Sequence, residues 1–70
     1  MIDQNDPLYD QAVAFARERG KFTRVGLCGA LVIGYNRACR LTEAMEVAGV
    51  VWQNITEFGT EWRVTQGGKS

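Results

Sequence analysis

Seventy residues make one small domain, near the lower limit for a self-sufficient core, and 46% of them are hydrophobic, which excludes a disordered chain. No apolar run approaches the roughly 20 residues that span a bilayer, and no signal-peptide pattern opens the chain, so a cytoplasmic location is expected. Eight basic residues balance eight acidic ones, which leaves no overall basic excess to hold a nucleic acid.

In chain order, residues 1–5 read as a flexible lead, and residues 6–65 as the folded domain. Asp6-Pro7 is a helix start, with aspartate as N-cap and proline at the first helical position, where its missing N–H costs nothing. Leu8, Ala12, Phe15 and Ala16, with Val13 beside them, form an apolar stripe through a first helix that stops at Gly20. Residues 21–24 connect to a second helix with room for a short strand, and Thr23 is a candidate cap. Val25, Leu27 and Leu31 form one face of that short helix, which ends at the Val32-Ile33-Gly34 turn. After the turn, Ala38, Leu41, Met45 and Ala48 recur at helical spacing, and Gly49 is the stop. Val50-Val51-Trp52 and Trp62-Arg63-Val64 read as paired strands, with residues 54–59 as the wing between them. Residues 66–70 read as a flexible tail. Its Gly68-Lys69-Ser70 is no phosphate loop, because position 63 is arginine where that motif needs glycine. The pattern predicts an α+β fold, a small winged helix-turn-helix with three helices and a β-hairpin wing.

Charge is segregated along the chain. Asp3, Asp6 and Asp10 lead, Arg17, Arg19, Lys21 and Arg24 cluster, Arg37 and Arg40 follow, and Glu43, Glu46, Glu57 and Glu61 dominate thereafter. Asn36, Arg37 and Arg40, near the start of the third helix, are the side chains that a recognition helix turns to base edges. Arg17, Arg19, Lys21, Arg24 and Arg63 are the candidate phosphate contacts. With no histidine and no nucleophile–base pair at recognisable spacing, an enzyme is not expected. Cys28 and Cys39 are too few for a disulfide framework or a zinc site, so neither metal nor cofactor is expected.

Three blocks carry a family resemblance. Asp6-Pro7-Leu8-Tyr9-Asp10-Gln11-Ala12-Val13, then Ile33-Gly34-Tyr35-Asn36-Arg37-Ala38, then Met45-Glu46 with Gly49-Val50-Val51, resemble the C-terminal gamma domain of the FtsK/SpoIIIE DNA translocases. The likeness runs without a gap from about Asp6 to Val51. It implies a winged helix that reads short, G-rich chromosomal motifs in double-stranded DNA during chromosome segregation and, in some members, activates a Xer recombinase. The ATPase motor of such translocases is not among these 70 residues, which read as a free-standing, divergent gamma domain.

Helix two and the wing depart from the family pattern. Where the family has an apolar residue and a serine cap, this chain has Arg24 and Val25. Glutamine and basic residues give way to Cys28, Gly29 and Ala30, and a further basic residue to Val32. About two to three phosphate contacts are lost with them, each worth nearly one unit of salt slope. The wing's Gly-Asn-Arg-like element is replaced by Gly59-Thr60-Glu61. A second function is therefore in view: a phage or mobile-element protein that docks on a host protein, either a Xer recombinase or a nuclease complex that it inhibits. Trp52, Phe58 and Trp62 are the candidate interface for that role, set against a plain packing role for the same aromatics. DNA binding is favoured because the Gly34–Ala38 block and Arg40 are retained.

Overall fold

The computed structural model describes residues 6–65, and the expected lead and tail lie outside them. Six elements follow in order: α1 (Tyr9–Arg19), β1 (Lys21–Phe22), α2 (Arg24–Leu31), α3 (Tyr35–Val47), β2 (Val51–Thr56) and β3 (Gly59–Val64). The sheet is antiparallel with strand order β1-β3-β2. Three helices and a hairpin threaded in this order are a winged helix.

The first helix begins later than its sequence suggests. Leu8, not Asp6, is the N-cap residue: its carbonyl accepts the Ala12 N–H at 2.9 Å. Asp6 instead closes the preceding turn, its carboxylate accepting the Leu8 N–H at 2.8 Å and its carbonyl the Tyr9 N–H at 2.9 Å. Gly20 ends α1 at φ 81°, a left-handed conformation that favours glycine. Phe22 then makes the short strand worthwhile. It is buried, and it stands opposite Trp62 in the β1–β3 register.

Thr23 caps α2, its hydroxyl accepting the Gly26 N–H at 3.1 Å. Of the expected α2 face, Leu27 is fully buried and Leu31 half-buried, but Val25 is 72% exposed. Leu27 and Leu31 are four residues apart and share a face, whereas Val25, two residues before Leu27, lies about 200° round the helix from it and faces away from the core. The end of α2 falls at the expected Val32-Ile33-Gly34 turn. The left-handed residue of the turn is Val32 (φ 54°), while Gly34 has an ordinary φ of −72° and serves as the α3 N-cap.

Helix α3 follows its pattern closely. Ala38, Leu41, Thr42, Ala44 and Met45 are buried, and the Thr42 hydroxyl is satisfied by donating to the Ala38 carbonyl at 2.8 Å. Ala48, expected on the stripe, is the exposed C-cap, and Gly49 beyond it turns the chain at φ 79°. The core joins Ala38, Leu41 and Met45 to Ala12, Ala16, Phe22, Leu27, Val51 and Trp62.

The wing is tighter than predicted. Residues 54–56, expected in the loop, are strand, and the turn is only Glu57-Phe58. Thr56 braces it: its hydroxyl donates to the Gly59 carbonyl at 2.7 Å and accepts the Phe58 N–H at 3.1 Å.

Candidate nucleic-acid interface

The exposed side of α3 is set by helical spacing. Asn36, Arg40, Glu43 and Val47 stand at i, i+4, i+7 and i+11, so they share one stripe, and all four are exposed. Glu43 on that stripe is absent from the sequence-derived site, although the same spacing that marks the buried residues would have found it.

Arg37 lies about 100° round the helix from Asn36 and is engaged elsewhere. Its Nε donates to Asp6 Oδ2 at 2.9 Å and its Nη2 to Asp6 Oδ1 at 2.7 Å, a bidentate pair that joins the start of α1 to α3. The Asp6 side chain is only 7% exposed and that of Arg37 44%. The guanidinium of Arg37, then the N–H of Leu8, hold the Asp6 carboxyl below its ordinary value of 3.8. Of the three side chains expected to act together, Asn36 and Arg40 share the exposed stripe and Arg37 ties two helices.

The four cations of the Arg17–Arg24 segment sit in different settings. Arg17 and Arg19 complete the last turn of α1, where positive charge complements the helix dipole. Arg19 lies 5.1 Å over the Phe15 ring. Lys21 is on the outer face of the sheet in register with Arg63, which is in turn opposite Trp52. Arg24 turns inward and stacks 4.5 Å over the Trp62 ring. Phe15, Phe22 and Trp62 are linked in sequence, each neighbouring pair at 6.1 Å, so an aromatic row carries an arginine at either end.

The outer face of the wing is less acidic than its sequence implies. Glu61 accepts from Arg63 at 2.8 Å and from Asn54 at 2.9 Å, with Lys21 4.0 Å away. Arg63, then Asn54, lower its pKa below the ordinary 4.5. Glu57, beside the tip, is exposed. The aromatic trio is split. Trp62 is 3% exposed, packs in the core and donates its indole N–H to Glu46 at 3.1 Å, so it offers no exposed aromatic anchor. Trp52 is 46% exposed on the outer face, and Phe58 is 92% exposed at the tip.

Cys28 and Cys39 are free and half-buried. Among the described residues, no three His, Cys, Asp or Glu side chains are grouped to hold a metal, and no helix is long and apolar enough to cross a membrane.

Residues 3–57, more than half of the chain, match the model of the FtsK gamma domain. The chain belongs to the FtsK gamma domain family. The match takes in α1, β1, α2, α3 and β2 and stops in the wing turn, so β3 lies outside it. This gamma domain is 52% identical over 48 residues, 69% of its length, to the DNA translocase FtsK of Pseudomonas aeruginosa. It is 50% identical over 50 residues, 71% of its length, to that of Treponema pallidum. Against the FtsK of Pseudomonas syringae pv. tomato the identity is 50% over 58 residues, 83% of its length. The chain spans only 6–7% of the length of these relatives.

Proposed function

We propose that this gamma domain binds double-stranded DNA by laying the exposed stripe of α3 along the major groove. The observation that carries this reading is the pairing of Asn36 with Arg40 on one solvent-facing stripe of the second helix in a helix-turn-helix. Membership of a family borne by DNA translocases supports it. Arg40 offers a bidentate fork to guanine O6 and N7, Asn36 to adenine N6 and N7, and Glu43 an acceptor to cytosine N4. An arginine at the centre of the stripe suits G-rich targets. Arg37 is a positioning residue here, holding α3 against the α1 turn through Asp6. Arg17, Arg19, Lys21 and Arg63 serve as backbone contacts that carry no sequence information.

The test is a titration against a G-rich duplex and a scrambled duplex of equal length at two salt concentrations. Tighter binding to the G-rich duplex, relaxed in Arg40→Ala and Asn36→Ala, is the expected result. Equal affinity for both duplexes, or a preference untouched by Arg40→Ala, would sink the groove-reading role.

A second reading has one specific observation behind it. Phe58 stands almost fully exposed at a braced wing tip beside Glu57, with Trp52 on the outer sheet face. A protein partner, a recombinase among the possibilities that the family resemblance raised, would find an aromatic anchor there. Loss of partner binding in Phe58→Ser with unchanged DNA affinity would favour this reading over the first.

A further inference from the structure

An open pocket of about 280 Å³ lies where the start of α2, the start of α3 and the wing converge, lined by Thr23, Arg24, Val25, Tyr35, Thr60 and Trp62. Its polar groups are all capable of donating. Arg24 brings a guanidinium, Thr23, Tyr35 and Thr60 bring hydroxyls, and no carboxylate of the described residues lines the wall. Thr23 Oγ1 already accepts the Gly26 N–H, so its own hydrogen is left to donate.

Arg24 is the decisive residue. Its neighbours Lys21 and Arg63 share Glu61, whereas Arg24 has no carboxylate partner among the described residues. Its side chain is half-buried and fixed by stacking at 4.5 Å on Trp62, and its buried Nε finds no hydrogen-bond acceptor among the described residues. A donor with no acceptor of its own in the fold suits one that a ligand brings. A cation without a counter-charge among the described residues, set among hydroxyls, suits an anion with several acceptor oxygens. The position narrows the choice. Tyr35 immediately precedes Asn36 on the proposed reading helix, and Thr60 belongs to the wing, so the pocket sits between the two elements that would straddle a DNA strand.

We propose that this pocket is a phosphate seat, filled in the DNA complex by one backbone phosphate held by Arg24 with the Thr23, Tyr35 and Thr60 hydroxyls. The occupant rests on the DNA-binding reading above; the seat itself does not. It gives Arg24, which stands where the family pattern has an apolar residue, a part in offsetting the cations missing from the rest of α2.

Two measurements decide it. Inorganic phosphate is titrated into the free protein and followed by NMR at the Arg24 Nε–H and the Thr60 amide, with chloride at equal ionic strength as the control. Saturable shifts that vanish in Arg24→Gln are expected; shifts no different from chloride, or unchanged in Arg24→Gln, overturn the seat. The salt dependence of affinity for the G-rich duplex is then compared in wild type and Arg24→Gln. A slope shallower by about 0.9, one released counterion, with base preference intact, is expected. An unchanged slope overturns the phosphate of DNA as occupant. If the wild type binds no duplex at all, the DNA reading fails and the phosphate titration alone judges the seat. Should Arg24→Gln fail to fold, the Tyr35→Phe/Thr60→Val double variant keeps the Arg24–Trp62 stack and removes two donors, and a weakened phosphate response is expected from it.

Discussion

The two helices of the helix-turn-helix reach their places by different means. Helix α3 runs for 13 residues and buries Ala38, Leu41, Thr42, Ala44 and Met45, so its orientation is fixed by packing and its opposite stripe is free to carry Asn36, Arg40 and Glu43. Helix α2 runs for eight, fully buries only Leu27, and depends on its ends: a threonine cap at one and a left-handed valine at the other. A long amphipathic helix is held by its middle and a short one by its termini, because backbone groups at helix ends find no intrahelical partners. The same contrast separates the polar groups. Asn36, Arg40 and Glu43 on α3 project outward, while the one cation of α2, Arg24, folds back onto Trp62.

Truncating the anchors breaks this comparison most severely. Leu41→Ala is expected to cost about 2–5 kcal/mol in urea unfolding, and Leu27→Ala to fall toward the lower end of that range because the short helix can settle into the space left. Equal losses would show α2 to be packed as firmly as α3. Next in size is Arg40→Ala, which should reduce discrimination between G-rich and scrambled duplexes by about 1–3 kcal/mol. Arg37→Ala should leave that discrimination nearly intact and lower stability instead, a split readable by pairing DNA titration with thermal unfolding.

The tie between α1 and α3 supplies a third test. Asp6→Asn should cost about 1 kcal/mol at neutral pH, more than a freely exposed pair, since the carboxylate is nearly buried and bound bidentately. The folded pKa of Asp6 is depressed, so its contribution is present above the ordinary value of 3.8 and is lost as pH falls through the lower folded value. Unfolding of wild type and Asp6→Asn should therefore converge below that point; a difference that persists into strong acid would mean the pair is not its source.

The smallest expected effects sharpen the account of α2. Val32→Asn should stabilise the domain by about 1 kcal/mol, because a β-branched residue is held at φ 54° where asparagine is tolerated. Gly29→Ala should stabilise by about 0.5–1 kcal/mol, since its added Cβ meets no atom within 4 Å. Destabilisation by either would show that these exposed positions make contacts in solution beyond the domain itself.

Much of the architecture was legible from residue spacing. The stripe through Ala12 and Ala16, the α3 pattern ending at Gly49, and the β-branched and aromatic runs around Val51 and Trp62 each describe burial directly. Boundaries were less legible. Asp6-Pro7 has the composition of a cap and proline start, yet Asp6 is drawn to Leu8 and to Arg37, 31 positions away. Residues 54–59 fall between the two strand runs and so look like loop, while ladder pairing with β3 carries residues 54–56 into the sheet.

The candidate site divides along the same line. Asn36 and Arg40 on one exposed stripe follow from helical period alone, and so would Glu43. The roles of Arg37, Arg24 and Trp62 do not, because each is settled by a partner distant in sequence: Asp6, Trp62 and Glu46. What the sequence determined by itself is periodic: which helix faces are apolar, where glycine stops a helix, and the order of elements that makes a winged helix. What only the tertiary structure decided is which charges are spent on internal partners and which remain for a ligand. Helical period is a local property of the chain, whereas ion pairs and stacking depend on distances between elements that the fold alone brings together.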